Sequence, residues 1–170
     1  MIRIFLIASL IISNFTLAEY TNSNGKALEK PFKDLIKWVR SDVEPKLAQI
    51  DVSSEWQTIN LNEADDYIIW IGHSTFLIKK EGITILTDPV FSDRASPFKN
   101  VGPERLIPPA MSIDQLPKID FVTVSHNHYD HLDINSLKDI SKLHPEAIFF
   151  VPIGDGKLLK RKRIKNVYEF

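Results

Sequence analysis

The sequence predicts a mixed α/β domain of layered strands and helices, and three observations carry that prediction. Three runs rich in β-branched and aromatic residues, "YIIWIG", "TFLIKK" and "ITILTD", follow one another closely, the last two separated by Glu81-Gly82, a hairpin signal. Two further runs of buried type, "FVTVS" and "AIFFVP", then alternate with stretches of helical period. Strands that first pair as hairpins and then alternate with helices describe a layered α/β architecture. No internal repeat and no low-complexity tract interrupts it.

Composition is consistent with this class. The chain has 170 residues, 44% hydrophobic and 25% charged, the balance of an ordinary globular domain. A net charge of -1 argues against general binding of nucleic acid. With no cysteine there is no disulfide, no thiolate metal site and no cysteine nucleophile, so any metal is held by imidazole and carboxylate.

Taken in order, residues 1–18 read as a signal peptide. Arg3 precedes an apolar run from Ile4 to Ile12, and Thr16-Leu17-Ala18 ends it with a cleavage site after Ala18. The apolar run is shorter than the roughly 20 residues of a spanning helix. The expected location is therefore outside the cytoplasm, exported, periplasmic or membrane-associated. Residues 19–66 read as a linker and an N-terminal helix. Tyr20 to Pro31 is polar, and Phe32, Leu35, Ile36 and Val39 have helical spacing after Pro31. Residues 67–170 hold the main domain.

Within it, the segment between Asp88 and Phe121 carries 6 of the 10 prolines and has no periodic pattern. A connection of that length inside a compact domain is a functional loop or an irregular packed one, and it contains Arg94 and Arg105. After "FVTVS", Ile134, Leu137 and Ile140 mark a helix capped by Asp133. Lys157 to Arg163 form a further helix, and "NVYEF" a last strand. The basic run Lys157, Lys160, Arg161, Lys162, Arg163 and Lys165 reads either as a solvated helix face or as a contact for anionic lipid head groups.

The chemistry concentrates in "SHNHYDHLD", Ser125 to Asp133, which holds three of the chain's 5 histidines. In extended backbone, residues two apart project to one face, so His126 and His128 can converge on one ion. Asp130 and His131 follow where the chain turns into a helix and can point back into the same hollow. Imidazole and carboxylate without thiol is the donor set of catalytic rather than structural zinc, and it also suits two neighbouring metals. The competing reading is a histidine-rich surface loop.

"HNHYDH" matches the H-x-H-x-D-H signature of the metallo-β-lactamase-fold hydrolases. From Trp70 to about Lys160 the chain also resembles the branch containing N-acyl-phosphatidylethanolamine-hydrolysing phospholipase D and its bacterial relatives. The motifs G-H-S-T, T-D-P, F-S-D-R-A-S-P, G-P-E-R, P-P and S-H-N-H-Y-D-H-L-D occur in that order. The resemblance implies an αββα sandwich with zinc at one edge of its sheets. It implies that His126 and His128 bind a first Zn2+, and that Asp130 and His131 bind a second. Asp130 would also be catalytic, orienting or deprotonating the attacking water. His73 and Asp88 would hold the ligands through hydrogen bonds.

The resemblance also implies further ligands beyond this stretch: a histidine, an aspartate bridging the two metals and a last histidine. Only 39 residues follow His131, and their one histidine, His144, reads as a surface residue of the helix. The expectation is thus a truncated sandwich: the first half of a metallo-β-lactamase-like domain, with an impaired site and partial zinc occupancy. A partner chain could supply the rest. The expected activity is zinc-dependent hydrolysis of phosphodiesters, on a phospholipid or a smaller substrate. A lactonase or other ester hydrolase and a non-catalytic metal-binding fragment are the alternatives.

Overall fold

The computed structural model describes residues 54–98, 100 and 102–170, together with Lys33 and Lys37. The chain divides into two compact units, Met1–Gln49 and Ile50–Phe170. Of the first, only Lys33 and Lys37 are described, both helical and exposed. The signal-peptide and linker readings, and most of the N-terminal helix, lie outside the described residues. The second unit opens with a short 3-10 helix at Glu55–Thr58, for which the sequence carried no clear signal.

Six strands form one sheet in the order β1-β2-β3-β4-β5-β6. They are β1 Tyr67–Gly72, β2 Thr75–Lys80, β3 Ile83–Thr87, β4 Phe121–Thr123, β5 Ile148–Val151 and β6 Val167–Glu169. The first three pair antiparallel. β3, β4, β5 and β6 pair parallel. The sequence explains the switch. Glu81-Gly82 closes a tight hairpin, both residues having positive φ of 50° and 82°, which matches a primed turn. Parallel neighbours instead need crossovers. Those crossovers are the proline-rich loop, helix α1 at Ile134–Leu143 and helix α2 at Gly156–Arg161.

α1 starts where Asp133 accepts hydrogen bonds from the backbone N–H groups of Asn135 and Ser136, as an N-cap should. It buries Leu137 and Ile140 against the sheet. Full burial of such side chains contributes about 1.5–3 kcal/mol each. Leu77, Leu86, Val122, Phe149, Val151 and Leu159 join them in one core.

The opposite face of the sheet is also apolar. The register aligns Ile68, Ile78, Ile85, Phe121 and Ile148 in one row, and Trp70 and Phe76 with Phe150 and Tyr168 at the ends of the next. Ile68 is 71% exposed and Tyr168 58%. An apolar face of this kind suits a second layer, in keeping with the sandwich expected from sequence.

The proline-rich loop is irregular but packed. The Arg105 guanidinium donates to the carbonyls of Val90, Ser92 and Ile107. Arg94 donates to the Gly102 carbonyl and pairs with Glu104 at 2.9 Å. Ala110 N–H reaches back to the Ile71 carbonyl at 2.9 Å, tying the loop to β1. His144 departs from the surface reading. It ends α1, lies half-buried, and its Nδ1 accepts from Ile119 N–H at 3.4 Å, because the loop before β4 passes over the helix terminus.

Candidate metal centre

Parallel pairing brings the C-terminal ends of β3, β4 and β5 to one edge of the sheet, the position where open α/β sheets place their ligands. Asp88 follows β3, and Ser125 to His131 follows β4. His73 comes to the same place from the β1–β2 turn. His73 and Asp88 both have left-handed backbone, with φ of 50° and 37°. Such conformations cost on the order of 1–3 kcal/mol in residues with a Cβ and cluster at functional sites.

The Asp88 carboxylate organises the centre. Its Oδ1 accepts from the Ser125 N–H at 2.7 Å and its Oδ2 from the Ser125 hydroxyl at 2.8 Å. The same Oδ2 lies 2.9 Å from His131 Nδ1. Nδ1 donating to a carboxylate leaves His131 Nε2 with its lone pair free, the arrangement seen where a histidine binds metal. Past β4 the chain makes a tight turn in which the His128 carbonyl accepts from the N–H groups of His131 and Leu132. Leu132 is buried in the core, so Asp130 and His131 turn back toward Asp88 and His73.

His73 Nε2 stands 3.5 Å from Asp130 Oδ2, and His131 Nε2 stands 3.7 Å from the same oxygen. Ligand atoms of His73, Asp130 and His131 all lie within 4.8 Å of one another, close enough to hold one ion. His73, read from sequence as a supporting group, is thus at ligand distance itself. His126 and His128 lie alongside. Their ring nitrogens approach to 3.1 Å, and the His126 and His131 ring centroids are 3.9 Å apart. Burial, then the neighbouring His131 and His128, hold the His126 imidazole below its ordinary pKa of 6.5. A neutral imidazole has the lone pair a metal needs. Five nitrogen and oxygen donors with no thiol fit a catalytic-type metal ion. Asp88 contacts this group through His131 and Ser125.

Sequence reasoning missed the Ser125 hydroxyl. It bridges Asp88 and His126 Nδ1, at 2.8 and 3.0 Å. Its place directly before the histidines was the available signal.

A histidine–aspartate cluster on this sheet edge can hold a metal ion. Residues 67–169 match the family model described as the Beta-lactamase superfamily domain. The chain belongs to that superfamily. It is 45% identical over 103 residues to N-acyl-phosphatidylethanolamine-hydrolyzing phospholipase D 1 of Caenorhabditis elegans, covering 61% of this chain and 29% of that protein. It is 38% identical over 103 residues to the mitochondrial N-acyl-phosphatidylethanolamine-hydrolyzing phospholipase D of Saccharomyces cerevisiae, covering 61% of this chain and 22% of that protein. Among solved structures, an isothiocyanate hydrolase from Delia radicum gut bacteria aligns with a TM-score of 0.49 at 19% identity, covering 61% of this chain and 41% of the other.

Proposed function

We propose that this chain carries part of a zinc-dependent phosphodiester hydrolase acting on an N-acylated phospholipid or a smaller phosphodiester. The observation that carries the reading is the Asp88–His131 pair facing Asp130 and His73, in a stretch 45% identical to a relative named for hydrolysing N-acyl-phosphatidylethanolamine. The chain spans 29% of that relative's length. His126, His128, Asp130 and His131 hold Zn2+ in this reading, with His73 as a fifth donor. Bound zinc would polarise the phosphoryl oxygen and lower the pKa of water.

The chain's own residues perform the remaining tasks. Asp88 fixes the tautomer and direction of His131. Ser125 holds His126 through its Nδ1. The Asp130 carboxylate, 45% exposed, accepts the hydrogen bond of the attacking water and takes its proton. The half-exposed His73 and Asp130, and the apolar second face of the sheet, support a further layer over the site, from a partner chain or another segment.

The test is an assay of purified, zinc-supplemented protein on N-acyl-phosphatidylethanolamine, a simple phosphodiester and a lactone. Phosphodiester turnover that Asp130→Ala abolishes supports the reading, even at a low rate. Preference for the lactone would move the assignment to an ester hydrolase. Zinc binding with no turnover on any of the three would make the chain a non-catalytic metal-binding unit.

A further inference from the structure

The β5–α2 turn reaches the same sheet edge as the histidines, and it carries a carboxylate that no role described so far employs. Asp155 occupies the N-cap position of α2, yet its side chain makes no capping bond. The side chain turns instead to the histidine loop, where its Oδ1 accepts from Asn127 Nδ2 at 3.3 Å. Its Oδ2 is buried without a partner. Burial pushes the carboxyl above its ordinary value of 3.8. The turn itself is held by Glu169, whose Oε1 accepts from the N–H groups of Gly154 and Gly156 at 3.2 and 2.7 Å. Asp155 therefore stands on a fixed base.

Asn127 is the residue between His126 and His128. We propose that Asp155 is a positioning residue that, through Asn127, fixes the backbone between these histidines and so sets the spacing of their imidazoles. A 28-residue separation in sequence becomes one contact because β4 and β5 are parallel neighbours. Asp155 acts through Asn127 and not as a donor to the ion. Its effect is on how often the histidine loop holds the binding geometry, and an acceptor missing from beneath a ligand loop typically costs 10–100-fold in metal affinity.

The decisive experiment uses the full chain as wild type, Asp155→Ala, Asp155→Asn and Asn127→Ala. Backbone 15N order parameters are measured at residues 126–128 without metal, and Zn2+ affinity by chelator competition. The metal arm rests on the function proposed above; the order parameters do not. The expected wild-type order parameter is about 0.85, falling below about 0.6 in both alanine variants. Zn2+ affinity falls about tenfold or more in the same two. Asp155→Asn keeps a carbonyl acceptor for Asn127 and restores both readouts. Unchanged order at residues 126–128 in Asp155→Ala or Asn127→Ala overturns the proposal. So does an asparagine variant as impaired as the alanine. A wild type that binds no Zn2+ defeats the functional reading alone, and the order parameters still decide the role of Asp155.

Discussion

His131 Nδ1 and Asp88 Oδ2 stand 2.9 Å apart, joining two residues 43 positions apart in the chain. Their side chains are only 15% and 10% exposed, whereas His73 and Asp130 facing them are 48% and 45% exposed. The cluster thus has a dry floor, where Asp88 orients His131, and a wet rim formed by His73 and Asp130.

The floor can be tested by an isosteric change. In Asp88→Asn the amide presents a donor to His131 Nδ1, which reverses the tautomer and places the proton on Nε2. Metal affinity is expected to fall about 10–100-fold with little change of shape. Isothermal titration with Zn2+ measures it, and 15N shifts of the His131 ring report the tautomer. Equal affinity in the two proteins would show that the pair does not prepare a ligand.

How much of this was legible in the sequence depends on the range of each interaction. The hairpin at Glu81-Gly82, the strands and the Asp133 cap were readable because their signals lie within a few residues of each other. The clustering of His126, His128, Asp130 and His131 was readable for the same reason. The approach of His73 to Asp130 was not, because it depends on how the β1–β2 turn meets the far end of β4, 57 residues on, and no local pattern encodes that. Asn127 and Asp155 were silent on the same ground. His144 looked like surface because helical spacing does not show that the Ile119 backbone lies against it.

Stability should fall on mild acidification. Burial is the first cause that holds both His126 and His144 below the ordinary 6.5. The unfolded chain therefore binds protons more readily than the folded one in the window below 6.5, and stability rises with pH across it. The lowered carboxyls of Asp66 and Asp120 act further down, below 3.8. Thermal melts in chelator should show a constant midpoint from pH 8 to 7 and a decline from 6.5 toward 5. A midpoint that holds steady to pH 5 would contradict the assignment. In His144→Gln the decline should be shallower.

Arg105 anchors the long loop through three backbone carbonyls. Removing a donor from part-buried carbonyls costs about 1–3 kcal/mol. Arg105→Ala should lower the melting point and expose residues 89–120 to proteolysis, with β4 and α1 still resistant. Cleavage no faster than in wild type would show that Arg105 is not what holds the loop.

The basic run of α2 and the turn after it offers a binding prediction. Lys157, Lys160, Arg161, Lys162, Arg163 and Lys165 are all exposed, and none has an ion-pair partner among the described residues. Near an anionic bilayer each contributes about 1 kcal/mol. Co-sedimentation with phosphatidylserine vesicles is expected at low salt, lost at high salt, and reduced at least tenfold by Lys160→Glu with Arg161→Glu. Equal sedimentation with neutral vesicles would point away from this surface.

The most direct test of the central claim, that the histidine–aspartate edge is a metal centre, is a Zn2+ equilibrium dialysis of wild type beside His131→Ala and Asp130→Ala. Saturable binding by the wild type is expected, with loss of binding in both variants. Zinc retained equally by all three proteins, or by none, would contradict the account.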